Sequence, residues 1–198
     1  SSLKKTINKA CIKYSFRTVK MLLNHLINPN HNHETLTFLI DQLTVNESYF
    51  FRDDNQMKFL RDYFFPLVIR RKREKSDLSL RIWSAGCSEG QELYSVIIML
   101  RQLLPDFDLW KLDFIGTDIN SQVLYRSKNA NYPKWSLRNT DNAIIKQYFK
   151  KSGDKYHTTY QLNTNIMKNA RWLKLNLQEN KYPSVRNGIL AVDLLLCR

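Results

Sequence analysis

Leu80-Arg81-Ile82-Trp83-Ser84-Ala85-Gly86-Cys87-Ser88-Glu89-Gly90 is the stretch that decides the fold. Leu80 to Ala85 has the apolar texture of a strand, and the two glycines bracket a turn. Glu92-Leu93-Tyr94-Ser95-Val96-Ile97-Ile98-Met99-Leu100 then reads as a helix, and Lys111 to Asp118 as a second strand that ends on an acid. Strand, glycine turn, helix and strand form a βαβ unit. Its crossover sets the two strands parallel, so the fold class is α/β.

The spacing Gly86-x-x-x-Gly90 is not the dinucleotide pattern, and no Lys-Ser/Thr pair follows it. Neither a pyrophosphate grip nor a P-loop is written here. An acid at the end of the second strand, Asp118, can accept hydrogen bonds from both hydroxyls of a ribose. A nucleoside cofactor without phosphates fits these features, and S-adenosylmethionine is the obvious one. The bland alternative is a tight turn with a strand-capping aspartate.

Downstream, Asn120 to Ser127 reads as a helix, Asn129 to Asn142 as irregular, and Ala143 to Lys150 as a short helix. Tyr156–Leu162 and Ala170–Leu175 alternate like antiparallel strands, and Ile189 to Cys197 reads as a buried, parallel-type strand. Upstream, Leu3, Ile7, Cys11 and Tyr14 suggest one amphipathic helix over 3–27, followed by helices over 34–43 and 55–70. The run Arg70-Arg71-Lys72-Arg73-Glu74-Lys75 marks a charged linker, or else a nucleic-acid patch.

Among 198 residues, 31 Lys+Arg against 18 Asp+Glu leave a formal charge of +13, so an acidic partner is expected. The first twenty residues hold six basic side chains and no acidic ones. Lys5, Lys9, Lys13 and Arg17 recur every four residues, which makes either a solvated face or a basic docking ridge. Three cysteines without CxxC spacing argue against a disulfide framework and for a reducing cytoplasm. His31-Asn32-His33 lies in a polar loop without further ligands, so no metal is expected. No apolar run approaches the ~20 residues of a membrane span, and the start lacks the core of a secretory signal.

Longer motifs then carry a resemblance. Leu43-Thr44-Val45-Asn46-Glu47-Ser48-Tyr49-Phe50-Phe51-Arg52-Asp53 resembles the LT-x-NET-x-FFR signature of the CheR family of chemotaxis-receptor methyltransferases. Ile82 to Ser95 is similar to its WSAGCSTGEEPYS, Gly116-Thr117-Asp118-Ile119-Asn120 to its GTDID, and Asp193-Leu194-Leu195-Leu196-Cys197-Arg198 to its DLILCRN. Tyr132, Trp135 to Arg138, Tyr148-Phe149 and Leu175-Asn176-Leu177 match in between. The motifs occur in family order from about residue 35 onward.

The resemblance implies a small helical domain over 1–75, with its charged linker, joined to a Rossmann-like methyltransferase domain over 76–198. An inserted antiparallel subdomain is expected over 151–175. It implies methyl transfer from S-adenosylmethionine, leaving S-adenosylhomocysteine, to glutamate carboxylates in the acidic methylation helices of transmembrane chemoreceptors. Asn46, Ser48 and Arg52 would approach the cofactor, with Arg52 also catalytic. Gly86 would form its turn, and Glu92 and Asp118 would hold the amine and the ribose. Asn176 and Leu177 would flank the adenine, and Arg198 would lie beside the cofactor. Lys5, Lys9, Lys13 and Arg17 would dock the receptor. Ser48, Gln91 and Leu93 replace the usual Thr, Glu and Pro. The family continues past its CRN motif, so the sheet is expected to be truncated or completed by another chain. The competing expectations are a nucleic-acid methyltransferase, against which the lack of an Asn/Asp-Pro-Pro-Tyr motif argues, and a degenerate non-catalytic module that binds the cofactor or the receptor.

Overall fold

The computed structural model describes residues 2–28, 32–44, 47–154, 157–179 and 182–197. The amino-terminal part forms α1 (Ser2–Lys13), α2 (Val19–Ile27) and α3 (His33–Leu43). The single helix expected over 3–27 is therefore two. Ser15 takes a left-handed φ of 58°, which breaks the first helix, and Thr18 restarts the chain by accepting the Met21 N–H at 3.2 Å. Ala10, Leu22 and Leu39 form the small core of this bundle, whereas Leu3 is exposed.

Next, α4 (Asp54–Phe59), a π turn over Leu60–Phe64 and α5 (Phe65–Glu74) run on without a break. Pro66 has no N–H and would clash with the carbonyl four residues back, and the widened turn before it relieves that conflict. The basic run at 70–75 is thus mostly the end of a helix and not a linker segment. Lys72 pairs with Asp77 at 2.9 Å and Asp193 at 3.0 Å, and Arg73 pairs with Asp106 at 2.6 Å.

The second half contains β1 (Ser79–Ala85), α6 (Gln91–Leu103), β2 (Lys111–Asp118), α7 (Ser121–Asn129), β3 (Asn131–Pro133) and α8 (Asn142–Tyr148). It continues with β4 (Phe149–Ser152), β5 (Thr159–Leu162), α9 (Thr164–Met167), β6 (Ala170–Lys174) and β7 (Leu194–Cys197). A four-stranded parallel sheet has the order β6-β2-β1-β7, and a separate antiparallel sheet the order β3-β5-β4.

Two strand readings are corrected. Residues 170–174 pair parallel with β2 instead of joining the antiparallel insert, which draws its strands from 131–133, 149–152 and 159–162. The closing strand begins only at Leu194, because Ile189 bridges back to Ser184 and Ala191 takes a φ of 47°.

One face of the parallel sheet buries Leu80, Ile82 and Phe114 in the same core as α6, which is apolar nearly all round from Leu93 to Leu100. The other face buries Trp83, Ala85 and Ile115 beneath Leu175 and Ile189. Near the amino ends of the strands, Asp113 bonds to Arg81 at 2.7 Å and Arg171 at 2.8 Å. Burial pushes its carboxyl up, but these two guanidinium groups outweigh that and hold it below the usual carboxylate range.

Trp172 underpins the glycine turn. A Cβ on Gly116 would meet its ring at 2.3 Å, and a Cβ on Gly90 would meet it at 2.5 Å. Gly116→Ala should therefore destabilise the fold by about 1–3 kcal/mol through overpacking. Denaturant unfolding with an unchanged midpoint would contradict this packing.

Candidate functional site

The parallel register lets β1 and β2 end together, Ala85 opposite Thr117, with Asp118 opposite Lys174 on β6. The chain then turns sharply. Gly86 and Gly90 have φ values of 75° and 86°, which their lack of a Cβ permits. The N–H groups of Gly86 and Cys87 both donate to the Thr117 carbonyl, at 2.8 and 2.9 Å. This folds the turn over the end of β2.

Asp118 sits beneath it, only 8 % exposed. Its Oδ2 accepts the Ser88 N–H at 2.9 Å, and its Oδ1 accepts the Asn120 N–H at 2.9 Å. The capping role is therefore real. Each carboxylate oxygen still has a lone pair beyond the backbone bond it accepts, so both can take a hydroxyl. The Asp118 carbonyl accepts the Leu175 N–H at 3.0 Å, which brings Asn176 and Leu177 to the same corner.

Glu92 stands in the first turn of α6 and accepts the Ser84 hydroxyl at 2.8 Å. Gln91, 1 % exposed, has an Oε1 with no hydrogen-bond partner among the described residues. An orphaned buried acceptor costs roughly 1–3 kcal/mol, and an incoming donor would relieve it. Cys87 lies in the turn, but burial and then the Asp118 charge push its thiol well up. It is held as a neutral thiol, not a thiolate nucleophile.

The segment carrying Arg52 docks on the same helix end. The Phe51 N–H donates to Ser95 Oγ at 2.9 Å, and that hydroxyl donates to the Gln91 carbonyl at 2.7 Å. Fully buried Phe50 anchors the segment, edge-on to Tyr132 and Phe149 at 4.9 and 5.0 Å. Arg52 donates to the Glu47 carbonyl at 2.8 Å, a backbone partner. Ser48 is half-buried on this segment. Asn46 and Arg198, both expected at the cofactor, lie outside the described residues.

α3 closes the other side. Asn120 donates to Thr44 Oγ1 at 2.6 Å, and the Ser121 N–H donates to Asp41 Oδ1 at 3.1 Å. Between α3 and the end of β6 lies a cavity of about 350 Å³, lined by Leu36, Thr37, Ile40, Ile119 and Asn176 among others. Gly86, Glu92, Asp118 and Asn176 thus gather at the carboxyl edge of the parallel sheet, with Leu177 next in the chain. Arg52 lies on a segment docked on the first turns of α6, its described contacts being the Glu47 carbonyl and the Tyr49 ring. Lys5, Lys9 and Lys13 lie elsewhere, on α1 against α3. Lys9 reaches Gln42 at 3.3 Å, and Lys13 sits 4.5 Å over the Phe38 ring. Arg17 stands in the bend before α2, so the four cations do not form one continuous helical ridge.

Ser84, Gln91, Asn120 and Trp172 went unassigned in the sequence. Ser84, Gln91 and Asn120 all lie within the matched motifs, Gln91 in place of the usual Glu. Asn120 also carries a local signal, an Asx residue just after a strand and before a helix, the N-cap position it takes. The donor set suits a nucleoside with an amino-acid tail. Asp118 presents acceptors for vicinal hydroxyls, the cavity offers apolar walls and an amide, and Glu92 and Gln91 offer acceptors for an ammonium. No cluster of three or more His, Cys, Asp or Glu side chains among the described residues could hold a metal ion.

Comparison with known proteins agrees. The family model described as CheR methyltransferase, SAM binding domain, matches residues 46–198. The chain is 30 % identical over 165 residues to chemotaxis protein methyltransferase 2 of Vibrio cholerae, covering 83 % of this chain and 54 % of that protein. It is 29 % identical over 161 residues to a chemotaxis protein methyltransferase of Borreliella burgdorferi, covering 81 % and 54 %. Against a Listeria innocua chemotaxis protein methyltransferase it is 26 % identical over 198 residues, covering 100 % and 68 %. The chain spans about half the length of the first two relatives. With three quarters of its residues inside the matched region and the turn and strand-end acid in place, this chain belongs to the CheR methyltransferase family through its SAM-binding domain.

Proposed function

We propose that this protein transfers methyl groups from S-adenosylmethionine to glutamate side chains of chemoreceptors. The observation that carries the reading is Asp118. It is a buried acid at the carboxyl edge of a parallel sheet, fixed by two backbone amides under a glycine turn that has no phosphate grip. Asp118 would hold the ribose, Asn176 and Leu177 the adenine, and Glu92 with Gln91 the ammonium. Asn46, Ser48, Gly86 and Arg198 complete the set. When bound, the cofactor supplies a methyl group on a positively charged sulfur.

A glutamate side chain has a pKa near 4.3, so at neutral pH the acceptor is already an ionised nucleophile and needs no base. The protein's task is placement and removal of water, worth up to roughly 7–11 kcal/mol in favourable intramolecular systems. Charge is cancelled as the acceptor is alkylated. A strong cation clamped on the carboxylate would therefore oppose reaction as much as guide it. Arg52 suits an orienting donor, because its single described bond to a carbonyl leaves most of its guanidinium N–H groups for a substrate.

Lys5, Lys9, Lys13 and Arg17 would steer the acidic methylation helices of cytoplasmic receptor domains toward the site. Methyl transfer from labelled S-adenosylmethionine tests the reading, with a receptor fragment and RNA offered in parallel. Label should enter the receptor as a base-labile ester, and the apparent affinity should weaken as salt shortens the ~10 Å screening length of 0.1 M solution. Label in RNA, or a salt-independent affinity for the receptor, would contradict it.

A further inference from the structure

The loop after Asp118 is held from α3, much earlier in the chain. Asp41 stands in the last turn of α3, the end where a helix disfavours negative charge, and no basic side chain of that turn offsets it. Its Oδ1 accepts the Ser121 N–H at the start of α7, at 3.1 Å. α7 has no acid in its own first turn, so Asp41 supplies the charge that its amino end favours. Beside this bond, the Asn120 side chain donates to the Asp41 carbonyl at 3.2 Å and to Thr44 Oγ1 at 2.6 Å. Asn120 Oδ1 accepts the Gln122 and Val123 N–H groups at 2.8 and 3.2 Å, so both ends of this buried amide are engaged. The Asn120 N–H completes the series on Asp118 Oδ1 at 2.9 Å.

We propose that Asp41 is a positioning residue for the cofactor: through Ser121 and Asn120 it fixes the Asp118 carboxylate and holds α3 against the cavity at the end of β6. Two features assign this role. The first is electrostatic. An acid at the carboxyl end of α3 is locally unfavourable, and its contact with the amino end of α7 offsets that, so the residue serves the junction and not its own helix. The second is placement. Ile119, between Asp118 and Asn120, lines the cavity together with Leu36, Thr37 and Ile40 of α3. Loosening the junction would thus free a wall of the cavity and the ribose acid at once. Groups fixed by directed bonds before the ligand arrives leave less ordering for binding to supply. The role rests on the methyl-transfer reading and adds to it a residue that precedes the matched region 46–198.

Calorimetric titration of S-adenosylhomocysteine and methyl-transfer kinetics, both on the full chain, test it. Asp41→Ala should weaken binding about tenfold, the scale of one lost charge-assisted hydrogen bond. KM for S-adenosylmethionine should rise by a similar factor, with kcat at saturating cofactor within about twofold of the wild type. A merely structural residue would act differently, lowering the active fraction and hence kcat while the folded remainder binds as before. Asp41→Asn keeps an oxygen for the Ser121 N–H and should restore most of the affinity. Thr44→Val removes the hydroxyl that accepts from Asn120, should weaken binding about threefold, and decides the matter if Asp41→Ala does not fold. Wild-type affinity in folded Asp41→Ala, or in Thr44→Val where the alanine variant fails to fold, would overturn the role of Asp41 alone, as would a loss confined to kcat. A wild-type chain that does not bind S-adenosylhomocysteine would overturn the parent reading and this role with it.

Discussion

Asp118→Ala should weaken S-adenosylhomocysteine binding by roughly 100-fold or more while leaving a folded protein. Two hydrogen bonds from ribose hydroxyls to a charged acceptor are lost, each worth about 1.5–3 kcal/mol, and every 1.4 kcal/mol is tenfold in affinity. The substitution also strips the Ser88 and Asn120 amides of their acceptor. Leaving them unpaired costs about 1–3 kcal/mol each, less where water reaches them in the emptied site, so at roughly 2–4 °C per kcal/mol the melting temperature falls by about 4 °C or more. Asp118→Asn is the sharper companion. Its amide nitrogen cannot accept, so one backbone N–H must face a donor and one ribose hydroxyl loses its acceptor. Titration calorimetry beside a thermal melt separates the two effects. A folded Asp118→Ala protein that binds the product as tightly as the wild type would show that the aspartate only caps the turn.

Arg52→Ala should lower methyl transfer about 100-fold and change stability by less than about 1 kcal/mol. The asymmetry follows from its surroundings. Arg52 is half-exposed, its described hydrogen bond reaches a nearby backbone carbonyl, and its ring contact with Tyr49 is long. Little folding energy rides on such a residue. The segment is held instead by Phe50 in the core and by the Phe51 N–H on Ser95, both of which survive the substitution. A guanidinium that orients the acceptor supplies an interaction strongest at the moment of transfer, so its loss falls mainly on kcat. Arg52→Lys should recover only a small part, because an ammonium lacks the planar fork. Unchanged turnover in folded Arg52→Ala, measured with labelled cofactor, would remove the residue from the reaction.

The site's core was legible because it is local. The Gly86–Gly90 turn, the helix after it and the acid at the end of β2 are fixed by glycine placement and short-range apolar pattern. Where partners are distant in sequence, the pattern runs out. Residues 170–174 alternate in burial preference like an antiparallel strand, yet they pair parallel with β2, and side-chain alternation is the same in either case. The break at Ser15 was hidden because the period of four in the basic residues continues across it through Arg17. The run at 70–75 looks like a linker because the partners of its Lys72, Asp77 and Asp193, and of its Arg73, Asp106, lie beyond it in the chain. The contact of the Arg138 guanidinium with the Tyr49 ring joins residues 89 positions apart, and no motif announces it.

Titrating S-adenosylhomocysteine into the wild-type full chain, and locating it by crystallography, tests the central claim most directly. The account predicts saturable one-to-one binding, with the ribose on the Asp118 carboxylate and the adenine beside Asn176. No binding, or density for the nucleoside away from the end of β2, would contradict it.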